Sequence, residues 1–364
     1  MSDGEAPELE RLPVSVITGF LGSGKTTLLK NLLRQPDMAD TAVVINEFGE
    51  IGLDHLLVEE AKEDTILMSS GCLCCSIRGD LIDTLRRLYK RRERGEVPRF
   101  KRLVIETTGL ADPAPILQTL IGDPLLSAFY RLDGVVTTVD AVNGMSQLDR
   151  QFESVKQAAV ADRLILTKID LADAGGRKAL EARLRSLNPA APLLPVAHGV
   201  VAAEQLFNAG LYNPAEKSPD VGRWLQEEAY AQSEADHHHD DHGHDHGHNH
   251  NHHHAQDVNR HDDHIRAFCL IHDQPIDWDR FVNWIEMLIT VRGADLLRIK
   301  GILNVAGSDA PVAIHGIQHL FHPPAVLPGW SGPDRRSRIV FITRDLERAW
   351  LEQSMTEFLG TPAH

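Results

Sequence analysis

The chain has 364 residues, of which 42% are hydrophobic and 24% are charged, as is typical of a globular protein. Its formal net charge of -15 at pH 7 argues against nucleic-acid binding, because such a partner requires basic residues that neutralise phosphates. No apolar run is long enough to span a bilayer, and the acidic N-terminus MSDGEAPELERLP is unlike a signal peptide. We therefore expect a cytoplasmic protein of two domains, with no nucleic-acid or membrane partner.

Short apolar segments alternate with helical patterns in the first part of the chain. The predicted strands are PVSVIT, TAVVIN, TILMS, RLVIET, GVVTTVD and DRLILTK, at residues 13–18, 41–46, 65–69, 102–107, 134–140 and 162–168. Helical patterns lie at 25–35, 79–93, 114–123 and 177–187. Strands that are apolar throughout and alternate with helices predict a doubly wound, mostly parallel α/β sheet covered on both faces. We place this domain at residues 13–222, after a flexible segment at 1–12.

The segment GFLGSGKTT matches the phosphate-binding pattern G-x-x-x-x-G-K-[ST] between a predicted strand and a predicted helix. Its glycines let backbone N–H groups point at phosphate oxygens, and the helix N-terminus adds a favourable dipole. We expect Lys25 to bridge the β- and γ-phosphates and the Thr26 hydroxyl to ligate Mg²⁺. The nucleotide-binding residues predicted in this segment are Gly19, Gly22, Ser23, Gly24, Lys25, Thr26 and Thr27.

The three cysteines Cys72, Cys74 and Cys75 lie within four positions in the segment SSGCLCCSIRGDL, and the chain has four cysteines in all. In a cytosolic chain this cluster is a soft-metal site, a redox pair or a packed group, and we favour the metal site. Neighbouring residues on a strand face opposite ways, so Cys74 and Cys75 share a metal only on irregular backbone. Three thiols are an incomplete set, which suits a metal cargo better than a structural zinc.

The segment LVIETTG ends another predicted strand with Glu106. Phosphoryl transfer needs an acidic residue near the magnesium. Most nucleotide hydrolases of this kind use Asp there, so the longer Glu106 leaves both direct and water-mediated contact open. Gly109, three residues later, is expected where the γ-phosphate is sensed. Lys25, Thr26 and Glu106 form the predicted catalytic set.

The segment LTKID is expected to bind the nucleotide base. Asp170 can accept two hydrogen bonds from the N1–H and the exocyclic amine of guanine, a pair that adenine cannot offer. Lys168 is expected to lie along the base plane. The usual first residue of this pattern is Asn, but here it is Thr167, which donates only one hydroxyl and weakens the guanine signal. The segment PVAHG at 195–199 is a weaker candidate for a backbone amide that meets the guanine oxygen.

A histidine-rich segment, ADHHHDDHGHDHGHNHNHHHAQD at 235–257, precedes a second and smaller domain. It has almost no aliphatic side chains and cannot repay the entropy of ordering, so we predict a disordered linker over 223–262. Its imidazoles suit capture of Zn²⁺, Ni²⁺ or Co²⁺, and we expect a local metal reservoir that feeds the thiol site, with a purely solubilising linker as the alternative.

The remaining residues predict an α+β domain at 263–364 with an antiparallel sheet. Strands are predicted at 264–271, 295–305, 311–322 and 338–344, a helix at 277–291 that Asp277 opens, and a last helix from 345. Arg292, Arg298 and Lys300 are expected on a solvated face, with a role facing a client or the nucleotide as the alternative. The three tryptophans on helical patterns are expected in the core: Trp278, Trp284 and Trp350.

The motifs GFLGSGKTT, INEFGE, GCLCCSIRGDL, IETTGLADP and TKID, followed by the histidine-rich linker, resemble in this order the CobW-like metal-associated GTPases. The resemblance covers almost everything from residue 13 onward. It implies a P-loop NTPase domain followed by a CobW-type C-terminal domain. It also implies a GTP-hydrolysing metallochaperone that uses GTP, Mg²⁺ and Zn²⁺, with Co²⁺ as an alternative, and delivers the metal to a client metalloprotein. ETTGLADP and CLCCSIRGDL are more similar to the zinc-associated branch than to the cobalamin branch.

The segment INEFGE lies between the phosphate loop and Glu106, where GTPases carry the loop that orders around the γ-phosphate. We expect GTP to order INEFGE and the thiol segment into a metal-holding geometry. Glu47 or Glu50 is a candidate fourth ligand, beside a histidine, water or a group on the client. Glu47 and Glu106 are both candidates to orient the attacking water.

Two other functions stay open at this point. One is cobalt supply for cobalamin synthesis, and the other is a passive buffer that binds metal through His and Cys without catalysis. The oligomeric state is also open, with a homodimer as one option.

Overall fold

The computed structural model describes residues 11–46, 66–69, 77–207, 264–330 and 332–360. The strands of the first domain are β1 (Leu12–Gly19), β2 (Thr41–Asn46), β3 (Ile66–Ser69), β4 (Arg102–Thr107), β5 (Tyr130–Asp140), β6 (Arg163–Thr167) and β7 (Leu193–Pro195). Its helices are α1 (Lys25–Leu33), α2 (Ile77–Glu93), α3 (Ala114–Gly122), α4 (Pro124–Phe129), α5 (Gly144–Arg150), α6 (Phe152–Ala159) and α7 (Ala174–Leu187).

The described strands of this domain form one seven-stranded parallel sheet in the order β3-β2-β4-β1-β5-β6-β7. Successive residues of a strand belong to different cores: Leu103 and Ile105 pack in one apolar cluster and Val104 in another. Helices therefore cover both faces, which explains why these strands are apolar throughout. The predicted fold class of this domain is confirmed.

Helix α1 follows directly from its apolar spacing. Leu28, Leu29, Leu32 and Leu33 are all buried against the sheet, as expected for one side of a helix with 3.6 residues per turn. Because α1 begins immediately after the glycine-rich loop, its packing holds that loop at the carboxyl end of β1. The carboxyl ends of the parallel strands meet at this same edge, where open α/β sheets bind their ligands.

The second domain consists of strands β8 (Ile265–His272), β9 (Leu296–Leu303), β10 (Val312–Ile317), β11 (Leu320–Phe321), β12 (Ala325–Val326) and β13 (Ser337–Arg344), with helices α8 (Trp278–Arg292) and α9 (Arg348–Leu359). The sheet order is β11-β10-β9-β13-β8, with β12 paired to β10, and these pairs are antiparallel. Asp277 begins α8 by accepting a hydrogen bond from the Arg280 backbone N–H at 3.0 Å. The predicted antiparallel α+β architecture is confirmed.

The segment 311–322, predicted as one strand, forms two. β10 and β11 are joined by a two-residue turn between Ile317 and Leu320, with φ of 52° at Gln318. A positive φ in a two-residue turn matches the twist of the flanking strands. The turn escaped prediction because it contains no glycine, asparagine or aspartate.

Two further expectations for this domain are wrong. Trp350 is 37% exposed, whereas Trp284 is fully buried and donates from Nε1 to Ser354 Oγ at 3.0 Å. Arg298 and Lys300, predicted on a solvated face, are 4% and 8% exposed. Their strand packs against the first domain, so these cations lie between the two domains instead of in water.

The two domains share an apolar interface. Ile265, Ala267, Cys269, Val340 and Ile342 of the second sheet lie in one cluster with residues of α6, β6 and α7 of the first domain. In the described ranges, no helix is both long enough and apolar enough to cross a bilayer. The proposed boundaries at 222 and 263 fall outside the described residues and stay predictions.

Candidate functional site

A cavity of about 290 Å³ lies at the carboxyl edge of the parallel sheet, close to the size of small-molecule sites. It is lined by Leu21, Gly22, Gly24, Lys25, Thr26, Thr27, Ile45, Glu106, Thr107, Thr108, Gly109 and Lys168. Segments from the ends of β1, β2, β4 and β6 therefore meet around one space. Eight of the twelve predicted nucleotide-binding and catalytic residues, from three separate motifs, line this cavity.

The glycine-rich loop turns sharply between β1 and α1. Gly24, the residue before α1, has φ of 91°, a left-handed conformation in which a side chain is strained. Ser23 is buried below the cavity, with its Oγ 2.6 Å from Thr138 Oγ1 on β5. Gly19, at the end of β1, supplies a carbonyl to the loop itself. The loop is thus tied to the sheet on its inner side and open on its outer side.

Lys25 is held inside this loop. Its Nζ donates to the Gly19 carbonyl at 2.7 Å and to the Phe20 carbonyl at 3.1 Å, and the residue is only 8% exposed. A positive charge is thereby positioned at the N-terminus of α1, where the helix dipole also favours an anion. This arrangement suits a bound phosphate.

Thr26 and Glu106 face each other across the cavity floor. The Thr26 hydroxyl donates to Glu106 Oε1 at 3.0 Å, although the two residues are 80 positions apart in the chain. Glu106 is the second-to-last residue of β4 and is 5% exposed. A hydroxyl and a carboxylate are hard oxygen donors, the type that Mg²⁺ prefers. The donor set therefore fits a magnesium ion.

Gly109 lies against the backbone of the glycine-rich loop. A Cβ atom at this position would be 2.6 Å from the Leu21 backbone nitrogen, so any side chain there would force the backbone to move. Gln157 on α6 donates from Nε2 to the carbonyls of Gly109 at 3.3 Å and Ala111 at 3.0 Å. Gln157 was not singled out from the sequence, where a glutamine on a helix gives no signal of such a role.

Thr167 contacts the phosphate loop and not the cavity. Its Oγ1 donates to the Ser23 carbonyl at 2.7 Å and to the Val139 carbonyl at 3.1 Å, and it is 3% exposed. The hydroxyl that was expected to help bind the base thus joins the end of β6 to the glycine-rich loop.

Lys168 lines the cavity and pairs with Asp140. Lys168 has φ of 56°, and its Nζ donates to Asp140 Oδ2 at 2.7 Å. Burial raises the pKa of Asp140, but hydrogen bonds from Lys168, Asn143 and Val142 outweigh it and hold the pKa below its usual range. Asp140 was recognised from the sequence only as the last residue of a strand.

Asp170 is partly exposed and is not among the residues that line the cavity in the described part of the chain. The Nδ1 atom of His198, in the segment PVAHG, lies 3.5 Å from Asp170 Oδ2. The His198 carbonyl accepts a hydrogen bond from Asn31 Nδ2 at 2.9 Å. The segment expected near the base is therefore attached to α1, the same helix that follows the glycine-rich loop.

The proposed metal ligands lie outside the described residues: Glu47, Glu50, Cys72, Cys74 and Cys75, together with the histidine tract. Within the described ranges, no group of three or more His, Cys, Asp or Glu side chains could hold a metal ion. The strands that precede these ligands are described. Glu106 of β4 is in register with Ile45 of β2, and Ile45 is in register with Ser69 of β3.

Family models match both parts of the chain. Residues 13–195 match the CobW/HypB/UreG nucleotide-binding domain, and residues 265–359 match the cobalamin synthesis protein cobW C-terminal domain. The two matched segments correspond to the parallel and the antiparallel sheet.

Similar proteins of comparable length are known. The zinc chaperone YjiA of Escherichia coli is 33% identical over 331 residues, covering 91% of this chain and 93% of YjiA. The zinc chaperone CobW of a Sinorhizobium species is 28% identical over 378 residues, covering 95% and 97% of the two chains. The crystal structure of the Zn(II)-bound YjiA GTPase from E. coli matches with a TM-score of 0.68 and 28% identity, covering 96% of this chain and 99% of that chain. With two matched domains in the same order, the chain belongs to the CobW family of P-loop GTPases.

Proposed function

We propose that this protein is a GTP-hydrolysing metallochaperone that binds Zn²⁺ at Cys72, Cys74 and Cys75, with Glu47 or Glu50 as a further ligand, and transfers it to a client metalloprotein. One observation carries the proposal: the cavity with Lys25, Thr26 and Glu106 lies beside the strand ends from which the proposed metal-binding segments leave. Nucleotide and metal would therefore occupy neighbouring sites.

The reaction proposed at the cavity is transfer of the γ-phosphoryl group to water. Lys25 would stabilise negative charge on the β- and γ-phosphate oxygens from the position in which the loop carbonyls hold it. Backbone N–H groups of the loop and the start of α1 would bind the same oxygens. Thr26 and Glu106 are the residues that would hold Mg²⁺, which supplies further neutralisation of phosphate charge when bound.

The strand register supports a coupling between nucleotide and metal. Neighbouring strands are about 4.8 Å apart, so the in-register row from Glu106 to Ser69 spans about 10 Å. Cys72 follows Ser69 by three residues, and covalent geometry limits their Cα separation to about 10 Å. The chain after Ser69 is therefore long enough for Cys72 to approach the cavity wall. A γ-phosphate that orders the segment after Ile45 would then alter the affinity for the metal, and metal would alter the affinity for GTP by the same factor.

The names of similar proteins support the same function. YjiA and CobW are named zinc chaperones, and a Dictyostelium discoideum protein that is 31% identical over 255 residues is named zinc-regulated GTPase metalloprotein activator 1. This chain spans about half the length of that last protein, 52%. Zinc is accordingly the proposed cargo, and a metalloprotein is the proposed client.

GTP turnover is the first test. We expect slow hydrolysis of GTP that Zn²⁺ stimulates, and we expect Lys25→Ala to abolish it. Lys30→Ala, on the same helix beyond the cavity, is the matched control and should hydrolyse GTP at the wild-type rate. No turnover in wild-type protein with Mg²⁺ and Zn²⁺ present would favour a passive metal buffer over an enzyme.

The coupling is tested separately by titrating Zn²⁺ against a competing chelator, with a non-hydrolysable GTP analogue and then with GDP. We expect tighter Zn²⁺ binding with the analogue, and loss of the difference in Cys74→Ala/Cys75→Ala. Equal affinities in the two nucleotide states would refute the coupling. Deleting the histidine tract should reduce metal loading when Zn²⁺ is scarce and leave GTP hydrolysis intact.

A further inference from the structure

Asp140, at the carboxyl end of β5, has a side chain that is 1% exposed. Four donors surround its carboxylate: Lys168 Nζ at 2.7 Å, the Val142 N–H at 2.8 Å, Asn143 Nδ2 at 3.0 Å and the Asn143 N–H at 3.2 Å. A buried charge is costly unless it is paired and hydrogen-bonded. Asp140 meets both conditions, so it is a fixed negative charge below the cavity wall.

The backbone contacts of Asp140 do not explain its charge. Accepting N–H groups from Val142 and Asn143 stabilises the turn before α5, and Asn at this position could accept them equally well. The contact with Lys168 is different, because a charge-assisted hydrogen bond to an ammonium group requires a carboxylate for its full strength. Lys168 is thus the cationic partner of Asp140 Oδ2, an oxygen that also accepts from the neutral Asn143 Nδ2 at 3.0 Å.

Lys168 is otherwise expected to be mobile. It sits in the left-handed region, with φ of 56°, and its side chain is 35% exposed. A free lysine side chain carries about 2 kcal/mol of rotamer entropy. The hydrogen bond to Asp140 restricts this freedom, because it tethers the Nζ atom while Lys168 lines the cavity.

We propose that Asp140 is a positioning residue for the nucleotide base: it holds Lys168 along the wall of the cavity, and so sets both the affinity for guanine nucleotides and their selection over adenine nucleotides. The proposal rests on the proposed function, since it presumes that guanine binds with its ring plane along Lys168 and its N1–H and exocyclic amine toward Asp170. Asp140 acts on the base and not on the phosphates. Its loss is therefore expected to weaken GTP and GDP binding by the same factor.

The test is Asp140→Asn, which keeps an acceptor for the two backbone N–H groups and removes the charge together with the oxygen that Lys168 Nζ and Asn143 Nδ2 share. We expect the Kd of GTP and of GDP to rise about tenfold each, with the ratio of the two unchanged, and the preference for GTP over ATP to fall. Asp140→Glu, which restores the charge, should recover part of the affinity. GTP affinity within twofold of wild type in Asp140→Asn would overturn the proposal, and so would an equal loss of GTP and ATP affinity.

A matched control variant is Asp123→Asn. Asp123 likewise accepts two backbone N–H groups at the start of a helix, from Leu125 at 3.1 Å and Leu126 at 2.9 Å, and pairs with Arg86 at 2.8 Å. It lies away from the cavity, so Asp123→Asn should change stability but not the GTP to ATP preference. A changed preference in this variant would show that lower overall stability, and not the lost contact with Lys168, explains the effect of Asp140→Asn.

A double-mutant cycle with Lys168→Met tests whether Asp140 affects GTP binding through Lys168. If Asp140 acts through Lys168, adding Asp140→Asn to Lys168→Met should weaken GTP binding no further. Additive losses would overturn the proposed route. Failure of the wild-type protein to bind GTP at all would instead refute the proposed function.

Discussion

Lys300 Nζ lies 2.6 Å from Asp162 Oδ1 and joins the two domains through a buried ion pair. Arg298 contacts the same carboxylate oxygen and the Val160 carbonyl, while Asp162 Oδ2 accepts from the Val135 N–H at 2.9 Å. Burial raises the pKa of Asp162, but attraction from Arg298 and Lys300 overcomes it and sets the pKa well below its usual range. Asp162 directly precedes β6, the strand that ends at Thr167, so this cluster is joined by one strand to the nucleotide cavity.

Removing the negative charge of this cluster should destabilise the protein strongly. In Asp162→Asn, the buried Arg298 and Lys300 would lose the carboxylate that they share, and breaking a buried ion pair in this way costs about 3–5 kcal/mol of unfolding free energy. Urea unfolding measures the change. The matched control is Asp334→Asn, where a carboxylate between Arg336 and Arg338 is solvent-exposed and its loss should cost about 1 kcal/mol or less. Equal losses in the two variants would contradict this prediction.

Stability should fall as the pH decreases from about 6.5 to about 4. His315 stacks on His322 with ring centroids 5.2 Å apart and lies near Asp162. Burial lowers the pKa of His315 to about 4, against the opposing attraction of Asp162. The unfolded chain, with a histidine pKa near 6.5, therefore binds more protons in this window. Folding loses about 3 kcal/mol across it from His315.

The variant that checks this is His315→Gln, which is neutral at every pH. Its unfolding free energy, measured between pH 7 and pH 4, should depend on pH less steeply than that of wild type, by about one proton. Burial also lowers the pKa of His322, so some pH dependence in the same direction should persist. An unchanged slope would show that His315 does not titrate on unfolding.

Gly109→Ala should reduce nucleotide affinity through the glycine-rich loop. The added Cβ would meet the Leu21 nitrogen at 2.6 Å and its Cα at 2.7 Å, so backbone must move. Displacing phosphate-binding groups by about 1 Å can cost about 100-fold in function, and we expect the Kd of GTP to rise by at least about tenfold. Gly329→Ala is the control, because a Cβ there meets nothing within 4 Å. Wild-type GTP affinity in Gly109→Ala would show that the loop backbone accommodates the added Cβ atom without loss of nucleotide binding.

Thr167→Val tests whether this residue acts on the phosphates or on the base. The change removes the hydroxyl donor to the Ser23 carbonyl and keeps the shape, leaving a buried acceptor at a cost of about 1–3 kcal/mol. Because Ser23 belongs to the glycine-rich loop, we expect GTP and ATP affinities to fall by the same factor, and Thr167→Ser to retain both. A loss confined to GTP, measured by competition for one fluorescent nucleotide, would indicate a direct base contact.

Short-range patterns were sufficient for most of the architecture. The strand Thr41–Asn46 and the strand Arg102–Thr107 have the predicted bounds, because unbroken β-branched runs and their flanking polar residues are local signals. The phosphate loop is likewise a local signal, since the fixed spacing of its glycines, lysine and threonine is itself the pattern of an anion-binding turn. Lys25 and Thr26 could therefore be assigned to one pocket before the fold was known.

Other features depend on which segments meet in space. Arg298 and Lys300 look like solvated charges, and only the packing of their strand against Asp162, more than 130 positions away, makes them buried. The pair of Asp140 and Lys168 arises because β5 and β6 are neighbours in the sheet. Local sequence determines which conformation a segment prefers and which side chains it presents. Tertiary structure decides which groups surround a charged side chain, because those groups come from distant parts of the chain. Burial then changes the free energy of the charged state more than the sequence neighbours do.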